Sequence, residues 1–216
     1  GLHLLLVTRM VTALALRQSP FMEDNFASSS SFFSVDVFTG GTPGYDSRGQ
    51  SIAMPCYRIP SVIHVTGTET LVAFAEARPG SSECKRMATQ RRWLQDSNEP
   101  SYAGYYLAMA RSTSGGRTWS NISFITDQED DCGHQPTAVY DEYRKQIVLQ
   151  LRCGGRGSST GAIAELAHPY QMVSTDTGLT WSQRTPIWQQ LPPTFQQVFP
   201  GPGIGLVLHS GPKAGR

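Results

Sequence analysis

One nonapeptide pattern occurs twice in the chain. The first copy is Ser112-Thr113-Ser114-Gly115-Gly116-Arg117-Thr118-Trp119-Ser120, the second Ser174-Thr175-Asp176-Thr177-Gly178-Leu179-Thr180-Trp181-Ser182, and both fit Ser-Thr-x-x-Gly-x-Thr-Trp-Ser. Each copy has the chemistry of a tight hairpin. Short polar side chains bond backbone N–H groups inside the turn, glycine takes a positive φ, and tryptophan packs beneath it. The two starts lie 62 residues apart, room for one four-stranded unit with its loops. A repeat at such a period predicts a propeller or a similar array, in which each unit buries its faces against its neighbours.

The rest of the chain agrees with an all-β reading. Strand candidates follow one another at 58–65, 70–77, 105–112, 118–125, 136–141, 146–152, 169–175, 180–182 and 203–209, separated by Gly, Asn and Asp. No helical period is sustained among them. Residues 79–104 interrupt the series with a long segment carrying Lys85, Arg86, Arg91 and Arg92, of the kind that is functional, disordered or inserted. With 18 basic and 17 acidic residues in 216, the chain has no field that would draw nucleic acid or an acidic membrane. Four cysteines (Cys56, Cys84, Cys132, Cys153) lack C-x-x-C spacing, which argues against zinc and admits two disulfides in three connectivities.

Residues 1–50 read as an apolar leader and irregular lead-in. The run 1–17 is broken by Arg9 and fits either a truncated signal peptide or an amphipathic helix, so membrane association stays open. The sequon Asn121-Ile122-Ser123 makes Asn121 a candidate glycosylation site. With the cysteines and the leader it points to a secreted or lumenal, including lysosomal, protein.

The hairpin pattern resembles the Asp-box, Ser-x-Asp-x-Gly-x-Thr-Trp, of the sialidase (neuraminidase) family. The second copy matches throughout, and the first has Ser114 where the family has aspartate. Two further stretches carry the same resemblance. Tyr57-Arg58-Ile59-Pro60 is similar to the family's Phe/Tyr-Arg-Ile-Pro, and the run 71–78, ending Glu76-Ala77-Arg78, to the strand that follows it. The likeness covers roughly residues 50–210. It implies a six-bladed β-propeller of which residues 51–216 supply about the first half, from the first blade to the start of the third. Half a ring leaves unpaired edges, so these residues alone are expected to be poorly stable and inactive.

The resemblance implies an exo-α-sialidase, a glycosidase removing terminal sialic acid from a glycoprotein, glycolipid or oligosaccharide, with no cofactor and no metal. Three arginines clamp the sugar's carboxylate in the family, and Arg58 corresponds to the first; a guanidinium fork matches a carboxylate two bonds at a time. Arg78 corresponds to a pocket-lining arginine, with an ion pair to Glu76 as the structural alternative. Gln135 stands where the family places a polar residue on the sugar's hydroxyls, and His134 reads as a turn residue. The family's acid/base aspartate has no clear counterpart: Glu83 ranks first and Asp96, the sole aspartate of the 79–104 segment, second. The nucleophilic tyrosine, a later glutamate and two more arginines are implied beyond Arg216. The rival readings are a propeller that binds sialylated glycans without cleaving them, and a structural Asp-box propeller.

Overall fold

A computed structural model describes residues 3–4, 33–79, 105–126, 132–154, 168–192, 194 and 199–215. The described strands are β1 (His3–Leu4), β2 (Val35–Asp36), β3 (Pro43–Tyr45), β4 (Ser51–Ala53), β5 (Cys56–His64), β6 (Leu71–Arg78), β7 (Tyr106–Ser112), β8 (Ile122–Phe124), β9 (His134–Asp141), β10 (Gln146–Cys153), β11 (His168–Ser174), β12 (Thr185–Pro186) and β13 (Gly203–Ile204). β1 pairs with β2. The others form two sheets, ordered β4-β3-β8-β7-β6-β5 and β12-β11-β10-β9-β13.

Each sheet contains one four-stranded antiparallel meander, β5 to β8 and β9 to β12. The two repeated turns join the third strand to the fourth in both meanders, β7 to β8 and β11 to β12. Their tryptophans lie in the turn itself, and the fourth strands begin later than the sequence predicts, at Ile122 and Thr185. The cause is local. The turn closes through side-chain bonds to Thr118 and Thr180 amides, so the chain is still turning at the tryptophan.

Alternation along the strands divides the first sheet into two apolar faces. Ile63, Val72, Phe74, Leu107 and Met109 face the second sheet, where they meet Ala138, Ile147, Leu149, Leu151 and Met172. Trp181 packs at the edge of this shared core, edge-on to Phe74 at 5.8 Å. Tyr57, Ala73, Ala75, Ala77, Tyr106 and Ala108 line the opposite face. Phe38 and Met54 cover it, with Trp119 at its edge. Residues 33–55, in part the predicted irregular lead-in, thus contribute short strands and two buried apolar side chains to the first sheet.

The first strand of each meander carries a bulge at the same place. In β5 the register shifts between Arg58 and Ser61, so Ile59 and Pro60 together oppose Ala75. In β9, Gln135 and Pro136 lie between residues paired to Arg152 and Gln150. Ile59 (φ 54°) and Gln135 (φ 49°) are both left-handed. Proline has no N–H to give the ladder and is tolerated at a bulge. The serine or threonine after each proline bonds the segment before or within β13: Ser61 Oγ donates to the Gly203 carbonyl at 2.6 Å, and Thr137 Oγ1 to that of Pro200 at 2.9 Å. Arg58-Ile59-Pro60-Ser61 and His134-Gln135-Pro136-Thr137 are therefore equivalent in the two sheets.

Candidate active site

The strand ends opposite the repeated turns hold Arg58, Arg78 and Gln135 of the predicted site residues. Across β5 and β6, Arg58 faces Glu76 and Cys56 faces Arg78. Side chains directly opposite share a face, so Arg58, Glu76 and Arg78 all lie on the side of the first sheet that meets the second. Glu76 is buried, with a relative exposure of 1%. Its Oε2 accepts Arg78 Nε at 2.9 Å and also binds Arg78 Nη2. Its Oε1 accepts the backbone N–H of Gln135 at 2.8 Å. One carboxylate thus joins the two sheets.

Arg78 also lies over the Tyr105 ring, its guanidinium carbon 4.6 Å from the centroid, within cation–π range. The same tyrosine contacts the His134 ring at 4.5 Å between centroids. His134 is buried as the first residue of β9, in the place that Arg58 holds in β5, and is not a turn residue. Gly133 allows this approach: a Cβ there would stand 2.4 Å from the Tyr105 carbonyl oxygen. The Cys132–Cys153 disulfide ties the start of this segment to the end of β10, and Cys56 is disulfide-bonded as well.

Arg58 differs from Arg78 in its partners. It is half-buried, and no hydrogen bond or ion pair engages its guanidinium among the described residues. Tyr57, its neighbour, points to the other face. There its hydroxyl donates to the Thr42 carbonyl at 2.9 Å, and burial pushes the phenol pKa up. Gln135 presents a buried side-chain Oε1 that accepts no hydrogen bond from the described residues. Arg58, Arg78 and Gln135 therefore lie at one end of the two sheets, where Glu76 binds Arg78 and the Gln135 N–H and stands opposite Arg58. The sequence carried one signal for Glu76: two charges at i and i+2 on a strand share a face. Glu83 and Asp96 lie outside the described residues. Asn121 is exposed just ahead of β8, at the strand ends remote from Arg58. Among the described residues no group of three or more His, Cys, Asp or Glu is placed to hold a metal.

Arg58, unpartnered among the described residues, at one set of strand ends and the two repeated turns at the other fit a propeller of the sialidase type. Solved structures share that fold. The intramolecular trans-sialidase of Ruminococcus gnavus, in complex with oseltamivir carboxylate, superposes with a TM-score of 0.54 at 14% identity, covering 75% of this chain and 54% of that one. The Trypanosoma rangeli sialidase in complex with sialic acid gives 0.51 at 17% identity, covering 80% and 28%. In sequence, the chain is 30% identical over 193 residues to a sialidase of Micromonospora viridifaciens. No family model matches. The chain belongs to the sialidase family. It aligns over 82% of its own length and spans 27% of that relative.

Proposed function

We propose that the protein of which these residues form part is an exo-α-sialidase, a glycoside hydrolase releasing terminal sialic acid from sialylated glycoproteins, glycolipids or oligosaccharides. The observation that carries this reading is the contrast between the two arginines. Arg78 is committed to a buried carboxylate, whereas Arg58, on the same face, has no partner among the described residues. A half-buried guanidinium without a counter-ion suits a ligand's carboxylate. Partial desolvation strengthens that contact, and its planar fork orients it. Gln135, with an unused buried amide oxygen, suits a sugar hydroxyl donor. The leaving oxygen requires an acid, for which Glu83 is the first candidate and Asp96 the second.

The disulfide Cys132–Cys153 and the exposed Asn121 sequon support an oxidising compartment, secreted or lumenal, for the protein. Endoglycosidase treatment of protein from a secretory host should shift its mobility, and Asn121→Gln should abolish that shift.

The full-length protein, assayed with a fluorogenic sialoside, tests the activity. Turnover is expected, with kcat/KM falling by about 100-fold or more in Arg58→Ala, as for loss of a charge-assisted bidentate contact. Glycan binding without turnover, lost in Arg58→Ala, would replace hydrolysis with a purely binding role. Neither binding nor turnover would leave a structural propeller.

A further inference from the structure

Arg58 and Glu76 stand directly opposite one another in the β5–β6 ladder. Opposite charges in that relation ordinarily pair across antiparallel strands. Here they do not. Both oxygens of Glu76 are taken: Oε2 by Nε and Nη2 of Arg78, Oε1 by the N–H of Gln135 from the second sheet. The bulge at Gln135 makes that N–H available to a side chain. Arg78 also lies over the Tyr105 ring, which is tilted against that of His134.

We infer that Arg78 and the Gln135 amide act as a lock that withholds the Glu76 carboxylate from Arg58, keeping Arg58 open for the carboxylate of the substrate. Arg78 and Glu76 are then positioning residues. Without the lock, the carboxylate opposite Arg58 is buried and in search of a partner. An unpaired buried charge is costly enough to take any cation within reach. Arg58 would close onto Glu76, and the site would lose its ligand-binding charge to an internal ion pair. This inference rests on the sialidase reading for the identity of the ligand, but not for the competition between the two arginines.

The two possible roles of Arg78 make opposite predictions for a double variant. If Arg78 only locks Glu76, Arg78→Met weakens sialic acid binding by about tenfold through capture of Arg58. Adding Glu76→Gln then removes the captor, keeps an acceptor for the Gln135 N–H, and restores binding to within about threefold of wild type. If Arg78 instead touches the sugar, the double variant binds no better than Arg78→Met, and the inference is overturned. The measurement is calorimetric titration of the full-length protein with free sialic acid, each variant being checked by its melting temperature. Arg78→Gln, which also removes the charge, replaces Arg78→Met if the latter does not fold.

Stability provides a readout independent of any ligand. Coupling between Arg58→Met and Glu76→Gln in the unfolding equilibrium should be within twofold of none in the wild-type background. It should reach fivefold or more in the Arg78→Met background. Equal coupling in both overturns the lock. Failure of wild type to bind sialic acid, with the coupling as expected, would instead remove the sialidase reading and leave the lock standing.

Discussion

Asp176 and Ser114 hold the same place in two copies of one turn and differ in charge and in how tightly they close it. The Asp176 carboxylate accepts from Ser174 Oγ at 2.7 Å, the Leu179 N–H at 3.1 Å, the Thr180 N–H at 2.9 Å and Thr180 Oγ1 at 2.5 Å. These donors, the Thr180 hydroxyl foremost, hold its pKa at about 2. Ser114 Oγ takes the Thr118 N–H at 2.9 Å and lies 2.8 Å from the Thr118 hydroxyl, but its contacts with Ser112 Oγ and the Thr118 carbonyl are long, at 3.3 and 3.4 Å. The depressed pKa fixes a sign: the stabilisation is present above the ordinary carboxylate value of 3.8 and fades as pH falls toward 2. Asp176→Asn should therefore lower the melting temperature at pH 7, and its deficit against wild type should shrink between pH 4 and pH 2. A deficit constant across that range would show that the ionised carboxylate is not what closes the turn. Conversely, Ser114→Asp should stabilise by about 0.5–1.5 kcal/mol in urea unfolding at neutral pH, the net worth of one further hydrogen bond.

The elements that aim the site are the bulged first strands of the two meanders and the segment leading into β9. Gly133→Ala should cost about 1–3 kcal/mol, since the clash is with the Tyr105 backbone, which yields less readily than a side chain. The same substitution should shift the near-ultraviolet dichroism of Tyr105, which lies between Arg78 and His134. At this scale the sequence was readable where chemistry is local and unreadable where it is relational. The turns were legible because their serine, glycine and tryptophan act within nine residues. The strands β6 and β10 were legible because both faces, or alternate residues, are apolar. Pro136 looked like a strand start, and Pro60 stood close to the start of the predicted strand 58–65. Only their placement at a bulge lets the strands continue from Cys56 and His134. Arg58 was legible through its motif and Arg78 through its strand. The use of Glu76 to bind Arg78 rather than Arg58 depends on Gln135, 59 residues away in sequence, arriving from the other sheet.

Across the whole molecule, the two sheets are held together at both ends of their shared core. Glu76 and Gln135 join them at the site end. At the opposite end Arg111, the residue before the first repeated turn, reaches into the second one. Its Nε donates to the Thr177 carbonyl at 3.0 Å and its Nη2 to Thr177 Oγ1 at 2.8 Å. Thr177 is held at φ 60°, and a Cβ on the adjacent Gly178 would meet Val72 and Met109 of the first sheet at 3.4 and 3.7 Å. The repeated turn therefore does more than close a hairpin: it docks one sheet onto the preceding one. If so, Arg111 and Thr177 should be energetically coupled although 66 residues separate them. Arg111→Met should destabilise by about 1.5–3 kcal/mol, the range for hydrogen bonds to a charged group. A double-mutant cycle with Thr177→Val, which keeps the β-branch and removes the hydroxyl, should give a coupling of about 0.5–1.5 kcal/mol. Arg117 is the control, because its Nη1 bonds the Ser114 carbonyl within its own turn. A cycle of Arg117→Met with Thr177→Val should show no coupling. Equal coupling for both arginines would indicate a general electrostatic effect and would exclude the turn as the contact that docks the sheets.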